Sequence, residues 1–256
     1  KRVATPKAYE PMVKAIAGLV HEAGQGSVGI GAPGSAHPTT GLWRNSNFVA
    51  SNGKPMEKAL VAAIGRPIRI ENDANCFALS EAKDGAGAGY GVVAFFTIGT
   101  GLGGGLVVDG KVIRGANAEA AEFGHTGLPW MTEQDWPPVK FFCGKAGCAE
   151  MYVSGTGLEM DYKRVTGTAL AGPQIIANAR LGEALGLAAV KRLQERFARS
   201  CANILTAVAA PVYVMGGGLQ ALPVLVADIA PPNSRYTWSG HATTHANTTN
   251  NGGNNG

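Results

Sequence analysis

The chain has 256 residues, 45% of them hydrophobic and only 16% charged, and 22 basic residues against 18 acidic ones give a formal charge of +4. That length allows one large domain or two modest ones, and the scattered basic residues lack any run that would track a phosphate backbone, so no nucleic-acid partner is expected. No stretch approaches the length of a bilayer span and nothing at the start resembles a signal peptide, so no membrane partner and a cytoplasmic location are expected.

In chain order, "EPMVKAIAGLVHEA" (10–23) reads as a helix with Met12, Ile16, Leu19, Val20 and Ala23 on one face. "SVGIGAPGS" (27–35) is a short buried strand running into a glycine-proline turn. "KPMEKALVAAIG" (54–65) is a second helix, with Gly65 as its C-cap. "RPIRIE" (66–71) alternates as a strand and delivers "NDAN", after which "CFALSEAKDGAGAG" (76–89) is a helix ending in glycines. "YGVVAFFTIGTGLGGGLVVDGKVIRG" (90–115) is two strands joined by a glycine turn, with Asp109-Gly110 making a second hairpin turn. Past residue 150 the chain turns helical, and "GEALGLAAVKRLQERFARSCANILTAVA" (182–209) carries Leu185, Ala189, Leu193, Phe197 and Ile204 at near-helical spacing. "PVYVM" (211–215) is a strand that breaks into Gly216, Gly217 and Gly218. Strands alternating with helices, with glycines at strand ends, predict an α/β architecture. The closing stretch "HATTHANTTNNGGNNG" (241–256) has almost no apolar residue and is expected to be disordered.

Four places carry chemistry. Asn72, Asp73 and Asn75 stand where a strand gives way to a helix, and small polar side chains there cap the helix's free N–H groups. The turn "IGTGLGGG" (98–105) and the run "VMGGG" (214–218) let backbone approach a phosphate or a flat ligand face, or simply permit tight turns and close packing. "EFGHTG" (122–127) followed by "CGKAGCAE" (143–150) offers one imidazole and two thiolates, His125, Cys143 and Cys148. Glycines between the cysteines suit a metal knuckle, so zinc is favoured over two buried cysteines and a surface histidine, although a closed structural site wants four ligands. Glu122 and Glu150 flank this unit and could hold hydroxyls. Four cysteines in a chain of this size do not suggest a disulfide scaffold.

"GIGAPG", "NDANCFALSEA", "IGTGLGGGLVVDGKVIRG", "AEFGH" and "CGKAGCAE", in this order, resemble the ROK family of bacterial sugar kinases and related repressors. "LPWM" and "SGTGLEMDYKRVTG" look most like its fructokinase and mannokinase branch, while "NCFALSEA" and "NILT" also resemble its N-acetylglucosamine kinases. The resemblance implies an actin-like (ribonuclease H-like) fold of two α/β domains around a cleft, divided here as 1–92 on the sugar side and 93–240 on the nucleotide side with the zinc loop. It implies an ATP-dependent kinase of fructose or mannose, with glucose or N-acetylglucosamine as the alternative and a non-catalytic sugar-binding regulator as the rival outside the enzyme class. Asp73 would be the catalytic base, and Gly34, Asn47, Asn72, Glu122, His125 and Glu150 would contact the hexose. Gly99, Thr100, Gly101 and Gly103 would meet the phosphates, and Gly216, Gly217 and Gly218 the adenosine. ATP with Mg²⁺ and a structural zinc on His125, Cys143 and Cys148 are the implied cofactors; a homodimer is left open. Phe141 stands where the family's loop has a further cysteine. The chain starts after the position of the family's Asp-Gly-Gly-Thr-Lys-like phosphate loop, and the 256 residues as written are expected to bind a hexose weakly with little turnover.

Overall fold

The computed structural model describes residues 1–218, residue 236 and His245–Thr248. The chain divides into two units, Lys1–Phe77 with Arg114–Ala120, and Ala78–Ile113 with the residues from Ala121 onward.

The first unit is built on a parallel pair, β1 (Val28–Ala32) and β4 (Ile68–Asn72), in register from Val28 opposite Ile68 to Ala32 opposite Asn72. A small hairpin, β2 (Ser35–Ala36) with β3 (Trp43–Arg44), stands beside them. Helices α1 (Tyr9–Ala23) and α2 (Met56–Ile64) supply the core, where Met12, Val13, Ala17, Trp43, Met56, Leu60, Ile64 and Ile68 are buried together. The buried seam of α1 runs through Tyr9, Met12, Val13 and Ala17, whereas Ala23, expected on that face, is exposed. Gly65 closes α2 in the left-handed conformation at φ +77°, its N–H bonded to Val61 O, as expected.

In the second unit a five-stranded sheet runs β7-β6-β5-β8-β9. Strand β5 (Val92–Ile98) pairs antiparallel with β6 (Leu102–Val108), which meets β7 (Lys111–Val112) across the Asp109-Gly110 turn. On its other side β5 pairs parallel with β8 (Val212–Gly216), every residue of which is buried. Alternation along β5 sends Ala94, Phe96 and Ile98 to one core and Val93 and Phe95 to another. The first core is covered by α4 (Gly155–Thr166), α5 (Gly172–Arg180) and α6 (Ala184–Val208), through Leu158, Ile175, Leu193 and Phe197. Helix α3 (Asp73–Asp84) runs through the division between the units.

Other expectations change as well. Leu185 is 49% exposed, although Ala189, Leu193, Phe197 and Ile204 on the same predicted face are buried. At this first turn of α6 the contact with α5 is made by Gly186, where an added Cβ would stand 2.8 Å from Ala179 N and 3.1 Å from Ile175 O. Within the tail expected to be disordered, His245–Thr248 form β9, parallel to β8 from Val212 opposite His245. A strand is held by main-chain hydrogen bonds, which a stretch with Ala246 as its one apolar residue can still make. The rest of that tail, and residues 219–235, lie outside the described residues.

Candidate functional site

In the first unit, the chemistry gathers at the carboxyl ends of β1 and β4. Asn72 ends β4 and caps α3, its Oδ1 accepting the Asn75 N–H at 3.1 Å. Its Nδ2 donates to Gly34 O at 3.2 Å, which ties the end of β4 to the turn after β1. Asn75, one of the three capping candidates, therefore stands one turn in and is 8% exposed. Asp73 occupies the first helical position with its side chain exposed, and Oδ1 accepts only the adjacent Ala74 N–H among the hydrogen bonds found for it. A carboxylate is favoured there by the helix dipole, and its exposure among the described residues leaves it open to a hydroxyl.

Gly34 has to be glycine. Its φ is +89°, and a Cβ would lie 2.5 Å from Arg44 O and 3.0 Å from Ser46 N. Asn47 is exposed in the loop after β3. That loop is braced by Asn52, whose Oδ1 accepts the Ser46 N–H at 3.0 Å while its Nδ2 donates to Ser46 O at 3.1 Å, as a neighbouring strand would. Sequence reasoning missed Asn52, and also the Arg114–Glu71 ion pair, in which Glu71 directly precedes Asn72.

In the second unit the two glycine runs meet at the ends of adjacent parallel strands. Gly216 pairs with Thr97, and Gly217, at φ +92°, leaves no room for a Cβ, which would fall 2.6 Å from Ile98 O. Carboxyl ends of parallel strands are where open α/β sheets take ligands. The Gly99–Gly101 turn is more occupied than its sequence suggests. Gly99 N–H donates to Gly101 O, and Leu102 N–H donates to Glu150 Oε2 at 2.9 Å. A Cβ on Gly101 would stand 2.8 Å from the same carboxylate oxygen. Thr100 is exposed, and its carbonyl accepts from Thr156 Oγ1 at 2.9 Å. Gly103 lies within β6, opposite Thr97, rather than in the turn. Gly218 is exposed beyond β8.

Glu122 precedes the 3-10 turn Phe123–His125, and its carbonyl accepts the His125 N–H at 3.0 Å. Nitrogen of His125 and the sulfurs of Cys143 and Cys148 all lie within 4.8 Å of one another, with the sulfurs 3.6 Å apart. Two thiolates on a tetrahedral zinc with Zn–S bonds of about 2.3 Å stand roughly 3.7 Å apart, so this donor set fits the ion with one position left over. Phe141 and Phe142 pack their rings 5.2 and 5.7 Å from the His125 ring, where the sequence comparison leads one to look for another thiolate. The Lys145 N–H and the His125 ring pull the Cys143 thiol down to about 7. Burial and the neighbouring Cys143 push Cys148 up to about 11, so Cys143 is the thiol that ionises first.

A buried ion network holds this segment against α6. Asp135 Oδ1 accepts from Arg196 Nε at 2.7 Å and its Oδ2 from Arg199 Nη2 at 3.0 Å. Arg196 Nη2 also reaches Asp161 Oδ1 at 3.0 Å, while Arg192 Nε takes Asp161 Oδ2 at 2.7 Å. Arg199 Nη1 donates to the carbonyls of Pro129 and Trp130, and Tyr152 OH bridges Val139 N and Asp135 O. Both ends of the stretch carrying His125, the two cysteines and Glu150 are thereby clamped. These residues gave no motif in the sequence; only the unusual density of arginine on an otherwise apolar helix could have flagged them.

Among known proteins, the ROK family model matches residues 1–256. N-acetyl-D-glucosamine kinase of Pectobacterium atrosepticum is 43% identical over 230 residues, 86% of this chain and 76% of that protein. The enzyme of the same name from Escherichia coli O9:H4 is 40% identical over 246 residues, 92% of this chain and 81% of its own. The crystal structure of the ROK hexokinase from Thermus thermophilus superposes with a TM-score of 0.84 at 26% identity, covering 98% of this chain and 84% of that one. A ROK family glucokinase from Streptomyces griseus, solved with glucose and AMPPNP, gives 0.74 at 25% identity, covering 98% and 86%. With the whole chain matched and the actin-like sugar kinase fold shared with these neighbours, the protein belongs to the ROK family.

Proposed function

We propose that the protein is an ATP-dependent sugar kinase whose preferred acceptor is N-acetylglucosamine. Identity of 40–43% with N-acetyl-D-glucosamine kinases over most of the chain carries the choice of sugar. It favours the alternative weighed from the sequence over fructose or mannose, whose branch the motifs after His125 had suggested.

The roles follow the chemistry of phosphoryl transfer, in which positioning and charge neutralisation do most of the work. Asp73 accepts the proton of the attacking sugar hydroxyl. Asn72 keeps one amide hydrogen and one lone pair beyond its structural hydrogen bonds, enough to fix a neighbouring hydroxyl. Gly34, Asn47, Glu122, His125 and Glu150 complete the sugar contacts. Gly99, Thr100, Gly101 and Gly103 serve the phosphates and Gly216–Gly218 the nucleoside of Mg–ATP. A zinc held by His125, Cys143 and Cys148 would stiffen the loop that ends at Glu150. Among the described residues no helix is long and apolar enough to cross a membrane.

The test is product analysis. Incubated with Mg–ATP and each of N-acetylglucosamine, glucose, mannose and fructose, the chain extended at its N-terminus by the family's phosphate loop is expected to form a phosphosugar from the first in preference. Saturable calorimetric binding of sugar with no phosphosugar from any of the four would instead favour a sugar-binding regulator.

A further inference from the structure

The Asn72–Asp73 pair is anchored from behind by a carboxylate that no motif marks. Glu71 Oε1 accepts the Asn72 backbone N–H at 2.8 Å and the Asn75 Nδ2 at 3.3 Å. Its Oε2 pairs with Arg114 Nε. In an ordinary capping box the side chain at the third helical position reaches back to the N–H of the capping residue. Here the third position is Asn75, whose amide points to Glu71, and Glu71 takes the capping residue's N–H in its place. Asn72 is thus fixed through its backbone N–H to Glu71, its Oδ1 to Asn75 and its Nδ2 to Gly34. Every one of these groups lies in the first unit, Arg114 included.

Resting on the kinase reading above, we propose that Glu71 is a positioning residue, oriented by Arg114, that sets the direction in which Asp73 presents its carboxylate to the sugar. Among the described residues Asp73 makes a hydrogen bond only to the adjacent Ala74 N–H, so its aim depends on the two residues before it and on the helix it opens. Arg114 is 63% exposed on its side chain and Glu71 21%. An ion pair this wet adds little stability, which suits a device that orients a site rather than holding a fold together.

The experiment compares Glu71→Ala, Glu71→Gln and Arg114→Met with wild type, every chain extended at its N-terminus by the family's phosphate loop, reading kcat, KM and the calorimetric Kd for N-acetylglucosamine. A small misplacement at a reacting centre costs up to about 100-fold, so Glu71→Ala should lose ~10–100-fold in kcat with Kd changed by less than about threefold. Glu71→Gln keeps an oxygen that accepts both hydrogen bonds and should stay within about threefold of wild type in kcat, with Arg114→Met in between. Wild-type kcat in Glu71→Ala overturns the proposal, as does an equal fall in Glu71→Ala and Glu71→Gln with matching loss of sugar affinity. Hydrogen exchange of the amides from Asn72 to Asn75 supplies a readout independent of catalysis. Should wild type phosphorylate no sugar, the kinase reading fails by itself, and unchanged exchange in Glu71→Ala would then defeat the positioning claim as well.

Discussion

Replacing Arg196 by Met removes the guanidinium that joins Asp135 to Asp161 in the second unit. The side chains are 3%, 1% and 6% exposed, so water cannot screen what is left behind. Breaking a buried pair from one side costs about 3–5 kcal/mol when the abandoned charge has no other partner. Both carboxylates keep one, since Arg199 and the Thr132 N–H still reach Asp135 and Arg192 and Arg164 still reach Asp161. The expected loss is therefore nearer 2–3 kcal/mol, or roughly 4–12 °C in Tm for a unit of this size. Thermal and urea unfolding followed by circular dichroism measure it. The pH dependence has a definite sign. Burial alone would raise both carboxyls, but the Thr132 N–H and Arg196 and Arg199 hold Asp135 below the ordinary 3.8, and Arg164, Arg196 and Arg192 do the same for Asp161. Their contribution is present in full above that ordinary value and is lost as pH falls through the depressed ones. Wild type and Arg196→Met should then converge in stability below about pH 4. A difference under about 0.5 kcal/mol at pH 7, or one that persists unchanged at acid pH, would refute the reasoning.

Asp73→Asn keeps the shape of the first helical turn but cannot take a proton, and a coupled ADP assay should find turnover down by about 10²–10⁴ with sugar affinity largely retained. Gly34→Ala forces a side chain into the left-handed region and against Arg44 O, and should cost at least ~1–2 kcal/mol in urea unfolding together with weaker sugar binding. Cys143→Ser should lower the zinc content of protein purified without chelators, measured by elemental analysis, and with it the unfolding midpoint, because an ion held only by the folded chain stabilises that chain. Zinc absent from the wild type as well would remove the metal from the account.

The elements that could be read from the sequence are those whose signals are local. The strand "RPIRIE", the Gly65 stop and the two glycine-joined strands from residue 92 to 108 follow from alternation and turn chemistry, which neighbouring residues determine. The clustering of His125, Cys143 and Cys148 was legible because residue types able to hold a metal stand out by type and spacing. What escaped depends on partners far along the chain. Glu71 and Arg114 are 43 residues apart, and Asp135 and Arg196 are 61 apart, and nothing local in either sequence window shows that they meet. The start of α3 was misjudged for a subtler reason. Asn72, Asp73 and Asn75 are all good capping residues, and only the hydrogen bond from Asn75 N to Asn72 Oδ1 decides which of them caps. That Glu150 takes the Leu102 N–H beside the glycine turn at 99–101 was not legible, because it is a contact across 48 residues. Leu185 shows the same limit in packing, since periodicity cannot tell that Gly186 makes the contact with α5.

The kinase reading meets its most direct test in steady-state ADP release by the chain carrying the family's N-terminal phosphate loop, with Mg–ATP and, in parallel, N-acetylglucosamine, glucose, mannose and fructose. The account predicts that kcat/KM is highest for N-acetylglucosamine and that the signal with every sugar disappears in Asp73→Asn. A higher kcat/KM for fructose or mannose would contradict the choice of sugar, and undiminished turnover by Asp73→Asn would contradict the mechanism.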